Sequence, residues 1–123
     1  MVLVIEDDDA TRELLADSLI EVGYGVMTAA SAEVALQLLD VEAPDLVLSD
    51  VHMRGMSGIE LCASLKADPR FQLTPVVLLT GASDLEARIA GLAAGADDFF
   101  AKPCDVVELR TRVMALLRVK IAS

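Results

Sequence analysis

The stretch Val2-Leu3-Val4-Ile5-Glu6-Asp7-Asp8-Asp9 passes from four apolar residues to four acids without a break. Four consecutive apolar residues without polar alternation fit a strand covered on both faces, as in a parallel sheet. The acids then stand at the carboxyl end of that strand, which is where an open α/β sheet binds its ligands. The same change from apolar to polar recurs along the chain. Leu46-Val47-Leu48 leads to Ser49-Asp50, Val76-Val77-Leu78-Leu79 to Thr80-Gly81, and Phe99-Phe100-Ala101 to Lys102-Pro103. A further strand is expected over 24–29.

Helical patterns fill the gaps. The first is expected over 10–22, capped by Asp9, with Leu15, Leu19 and Val22 on one face and Gly23 at its end. Ser31 caps a second helix whose apolar positions are Val34, Leu38 and Leu39. A third runs over 57–67 and stops at Asp68-Pro69, because the residue before a proline disfavours helix. The last two open with the spacing of a capping box, Ser83 with Glu86 and Asp105 with Glu108. Gly95 ends the former, and the latter runs over 106–119 with Val113, Leu116, Leu117 and Lys120 towards its end. Five strands alternating with five helices predict a single α/β domain, a doubly wound parallel sheet. Right-handed crossovers narrow the topology, and the flavodoxin-like order 2-1-3-4-5 is expected.

Composition limits what such a domain does. The 123 residues are the length of one domain, and 54% hydrophobic residues with 24% charged ones exclude an intrinsically disordered chain. Twenty acids against ten bases give a formal charge of −10, which opposes direct binding to nucleic acid or to an anionic membrane. The sequence contains no apolar run long enough to span a bilayer and no signal-peptide pattern, so a cytoplasmic location is expected. Cys62 and Cys104 lack the spacing of a disulfide framework or a zinc site and read as free thiols.

The expected topology gathers Glu6, Asp7, Asp50, Thr80 and Lys102 at one sheet edge. Three neighbouring carboxylates cannot all stay ionised without a cation among them, and Mg²⁺ is the hard divalent ion that oxygen ligands favour. A carboxylate beside Mg²⁺, a lysine and a hydroxyl is the equipment for phosphoryl transfer to an aspartate. Singly, each residue has a plainer reading as a helix cap, a turn residue or a surface charge. Their placement at four of five strand ends is what carries the argument.

Over essentially its whole length the pattern resembles the receiver domain of two-component response regulators. The residues that match are Val4-Ile5-Glu6-Asp7-Asp8, Asp45-Leu46-Val47-Leu48-Ser49-Asp50, then Met53, Met56 and Gly58. Two further stretches match, Pro75-Val76-Val77-Leu78-Leu79-Thr80 and Gly95-Ala96-Asp97-Asp98-Phe99-Phe100-Ala101-Lys102-Pro103. The resemblance implies that Asp50 is the phosphoacceptor and that Asp7, Asp50 and the His52 backbone carbonyl hold Mg²⁺, with Glu6 reaching it mostly through water. It implies that Thr80 and Lys102 bind the phosphoryl group, that Phe99 changes rotamer as Thr80 moves, and that Lys102-Pro103 is cis. It further implies a histidine kinase or phosphotransfer protein as donor and a readout face on the last two helices and strand five. A C-terminal output domain and a homodimer are candidate partners. Residues 1–123 form the expected receiver domain, with about 118–123 the candidate start of a linker. Such a domain is not an enzyme in the turnover sense: it catalyses its own phosphorylation and slow dephosphorylation.

Arg54 departs from the family pattern, which usually has proline there, and this predicts a more mobile loop after Asp50. His52 and Ala82 fall where the family tunes the lifetime of its acyl phosphate, and Cys104 replaces a frequent apolar or aromatic residue. Glu6 replaces a commoner aspartate. His52 reads as an exposed loop residue, with a side-chain ligand for a transition metal as the alternative. Two other functions use the same elements. A Mg²⁺-dependent aspartyl phosphatase needs a further acid and a lid, for which the loops are brief. A binding module of the same fold is the third reading: a flavin site needs a phosphate-cradling loop, whereas four acids follow strand one, and an unphosphorylated docking domain would bind its partner without metal.

Overall fold

The computed structural model describes residues 1–81 and 83–122, the side chains of 119–122 excepted. Ala82, Ser123 and the Lys120 side chain therefore lie outside the described residues. The elements are β1 (Val2–Ile5), α1 (Asp9–Ile20), β2 (Val26–Ala29), α2 (Ala32–Leu39), β3 (Leu46–Asp50), α3 (Gly58–Ala67), β4 (Val76–Gly81), α4 (Leu85–Ala94), β5 (Asp98–Lys102) and α5 (Val106–Ala122). All strand pairs are parallel, in the order β2-β1-β3-β4-β5. This is the flavodoxin-like arrangement that the alternation of apolar runs and helical patterns predicts.

Because successive strand residues face opposite ways, one sheet feeds two cores. Leu3, Ile5, Val47 and Leu78 pack with Ala32, Ala35, Leu39, Leu61 and Leu65 on one side. Val2, Val4, Leu46, Leu48, Val77 and Leu79 pack with Leu15, Leu19, Leu109 and Val113 on the other. The unbroken apolar runs are thus explained by cover on both faces. Ser31 caps α2 by accepting from Val34 N, and Gly95 ends α4 at φ +96°, a conformation open to glycine.

Several local expectations are corrected. The α1 cap is Asp8, whose carboxylate accepts from Thr11 N, and Asp9 is the first helical residue. Asp84 rather than Ser83 caps α4, accepting from Ala87 N, and the reciprocal capping box belongs to Ser57 and Glu60 of α3. Strand β2 begins at Val26 instead of residue 24. Val22 and Val34 are exposed while Ala32, Ala35 and Leu39 bury the inner face of α2. Ala32, Ala35 and Leu39 share the inner face of α2, which leaves Val34 on the outer side. No helix among the described residues is long and apolar enough to cross a membrane.

Candidate functional site

The parallel register aligns the strand ends. Ile5 pairs with Ser49, Asp50 with Leu79, Thr80 with Ala101, and Gly81 with Lys102. One and two residues beyond Ile5, Glu6 and Asp7 leave β1 beside the end of β3. One carboxylate oxygen from each of Glu6, Asp7 and Asp50 lies within 4.8 Å of the other two. Lys102 Nζ reaches across from β5 to donate to Glu6 Oε1 at 3.1 Å and to pair with Asp50 Oδ2 at 3.2 Å. The five residues gathered by the sequence argument thus share one edge. Asp50 is more recessed than an exposed nucleophile would be, its side chain 8% exposed, while Asp7 (24%) and Lys102 (33%) line the opening.

Among the described residues, two buried side-chain oxygens lack hydrogen-bond partners, Glu6 Oε2 and Thr80 Oγ1. Such groups are costly unless something else satisfies them. Burial pushes the Glu6 carboxyl up to about 7, and contact with Asp50 pushes the same way against the opposing pull of Lys102. Burial depresses Lys102, but the hydrogen bond to Glu6 and the charges of Asp50 and Glu6 outweigh it, so its pKa is raised. Without a cation, the pocket therefore relieves its excess negative charge by holding a proton on Glu6 near neutrality. Clustered hard oxygens with one orphaned carboxylate oxygen fit a small divalent ion such as Mg²⁺.

The surrounding loops are tied down. Gly58, at the start of α3, donates to Val51 O, and a Cβ there would overlap the Asp50 carbonyl. Met56 N donates to Glu33 Oε1, and Arg54 N donates to Asp7 Oδ2 at 3.3 Å. The loop after Asp50, which lacks the proline, is thus anchored at three points. His52 points away from the acids, its Nε2 2.7 Å from Asp84 Oδ2, with its side chain 71% exposed. It is not part of the carboxylate cluster, which corrects the alternative of an imidazole ligand at that position. Phe99, half-buried on β5, packs against Gly91 of α4, where a Cβ would come within 2.7 Å of its ring. Lys102-Pro103 is cis.

Comparison with known proteins now bears on this geometry. The family model described as response regulator receiver domain matches residues 2–114. The chain belongs to that family. Among curated relatives, it is 42% identical over 120 residues to the response regulator PleD of Caulobacter vibrioides, covering 98% of this chain and 26% of the relative. It is also 42% identical over 116 residues to the transcriptional regulatory protein AfsQ1 of Streptomyces coelicolor, covering 94% of this chain and 50% of the relative. The receiver domain thus spans from about a quarter to about half the length of these relatives. Among solved structures it is similar to the receiver domain of a signal transduction histidine kinase from Syntrophus aciditrophicus. That match has a TM-score of 0.89 and 39% identity, covering 95% of this chain and 89% of the other. Chemotaxis protein CheY4 of Vibrio cholerae matches with a TM-score of 0.88 and 29% identity, covering 94% and 96%. The family is a signalling domain, and the acidic cluster of this receiver domain is compatible with Mg²⁺.

Sequence reasoning missed Asp84 as a partner of His52, and Glu33 as an anchor for the loop. Asp84 carried a signal, an acid one residue before a helical pattern. Glu33 carried none, because its contact with Met56 spans 23 residues and depends on how α2 lies on the sheet.

Proposed function

We propose that this receiver domain accepts a phosphoryl group from a phosphohistidine donor onto Asp50 and switches partner binding through the Thr80 and Phe99 region. The observation that carries this reading is the convergence of three carboxylates and Lys102 on one point, with Glu6 Oε2 and Thr80 Oγ1 left unpartnered. Glu6, Asp7, the Asp50 side chain and the His52 backbone carbonyl would hold Mg²⁺. When bound, the ion would neutralise the acids and draw charge from the phosphoryl oxygens.

Asp50 attacks phosphorus in line, forming the carboxyl O–P bond as the P–N bond breaks and the imidazole departs with the bonding electrons. Lys102 offsets the negative charge carried by the phosphoryl oxygens in the transition state, and the Thr80 hydroxyl donates to one of them. Water attack on phosphorus later releases phosphate and restores the carboxylate. The acyl phosphate carries about two negative charges where the Asp50 carboxylate carried one, and spreads them over three phosphoryl oxygens in a pocket whose cation and hydroxyl come from β5 and β4. Movement of Thr80 towards it opens space for Phe99, whose ring is already seated against Gly91 of α4. The readout face is α4, β5 and α5, where Leu85, Ile89, Leu92 and Val107 are exposed apolar residues. A histidine kinase or phosphotransfer protein supplies the phosphoryl group. An output domain and a second copy are the candidate recipients of the signal.

Incubation with acetyl phosphate and Mg²⁺ tests this reading. Intact mass should show one added phosphoryl group, lost on chelation of the metal and in Asp50→Asn. A phosphorylated Asp50→Asn protein would overturn it.

A further inference from the structure

Three acids line the pocket, and the protein itself supplies a cation to each of them. Lys102 serves Glu6 and Asp50, at 3.1 and 3.2 Å. Asp7 is served from elsewhere, by the loop after β3. Asp7 Oδ2 accepts from Arg54 N at 3.3 Å, and Arg54 Nε lies 3.7 Å from the same oxygen. A proline at position 54, which the family pattern usually carries, could make neither contact, since it has no N–H and no charge. The guanidinium is held only loosely, its side chain 90% exposed.

We propose that Arg54 is a built-in counter-ion that competes with the divalent cation for Asp7 and so lowers the affinity of the site for Mg²⁺. This rests on the reading of Glu6, Asp7 and Asp50 as the metal site. An ion bound through Asp7 shares that carboxylate with Arg54, and the guanidinium charge opposes the entry of a doubly charged ion beside it. Both effects oppose loading. Both are also modest, because an exposed ion pair is weak and the side chain is free to turn into water. The receiver domain would accordingly fill its metal site at a higher Mg²⁺ concentration than a domain with an uncharged residue at position 54, and phosphorylation would follow the Mg²⁺ supply more closely.

Calorimetric titration of the 123-residue chain with MgCl₂, without any phosphoryl donor, tests the inference. Arg54→Ala should tighten Mg²⁺ binding by about two- to fivefold at low ionic strength, the range set by an exposed charge pair. Arg54→Lys, which restores the charge, should return to within about twofold of the wild type on the same scale. At about 1 M salt, where the screening length falls to about 3 Å, the difference between wild type and Arg54→Ala should close. Equal or weaker Mg²⁺ binding by Arg54→Ala overturns this inference while leaving the metal site intact. A wild-type protein that binds no Mg²⁺ overturns the site reading and the inference with it.

Discussion

The Glu6 carboxyl makes the stability of the metal-free protein fall as pH rises, and Glu6→Gln should remove that dependence. Its ordinary pKa of 4.5 is pushed up to about 7 in the folded chain, by burial first and by Asp50 second. The folded state therefore holds this proton more tightly than the unfolded state does. The resulting stabilisation is fully present below pH 4.5, declines above it, and is lost as pH passes through 7. At about 1.4 kcal/mol per unit, raising the pH from 5 to 8 costs about 2 to 3 kcal/mol. With a urea m-value of about 2 kcal/mol/M, the midpoint should drop by roughly 1 M. Glutamine keeps the shape and carries no ionisable proton, so its midpoint should change much less over the same range. The assay is urea unfolding in a chelator at both pH values, followed by far-ultraviolet circular dichroism. Comparing the two proteins cancels every other titration they share. Equal pH dependence in wild type and Glu6→Gln would refute the electrostatic account of the pocket.

Other perturbations test the supports of the site. Saturating Mg²⁺ should stabilise the wild type more at pH 8 than at pH 6, because below 7 the ion must displace the Glu6 proton; thermal unfolding with and without Mg²⁺ reads this. Asp84→Ala removes the cap of α4 and the partner of His52, and should cost about 1 to 2 kcal/mol in urea unfolding. His52→Ala should cost less than about 1 kcal/mol, since that side chain is largely in water. Gly58→Ala forces a methyl group into the Asp50 carbonyl, and should cost about 1 to 3 kcal/mol and slow labelling by acetyl phosphate.

The topology was legible because four of the five strands are apolar runs that end abruptly in a polar residue. Parallel pairing turns four such endings into one site, so Lys102 and Glu6, 96 residues apart, could be placed together from the sequence. Cap positions were harder. Asp7, Asp8 and Asp9 are chemically equal candidates, and only the extended backbone of Asp8, at φ −82° and ψ 119°, selects it. The same ambiguity moved the α4 cap from Ser83 to Asp84. Val22 and Val34 follow a helical apolar spacing yet face water, because spacing defines a stripe without fixing where the sheet ends beneath it. The tethers of the loop after Asp50 stayed hidden for another reason. Arg54 to Asp7 and Met56 to Glu33 join exposed polar groups distant in sequence, and no hydrophobic period marks such contacts.

Borohydride trapping tests most directly whether the clustered acids present Asp50 as the attacking group. Protein treated with acetyl phosphate and Mg²⁺ is reduced, which converts an aspartyl phosphate to homoserine, and is then mapped by peptide mass spectrometry. The account predicts conversion at position 50 alone, dependent on Mg²⁺. Conversion at Glu6, Asp7 or any other acid, or none at position 50, would contradict it.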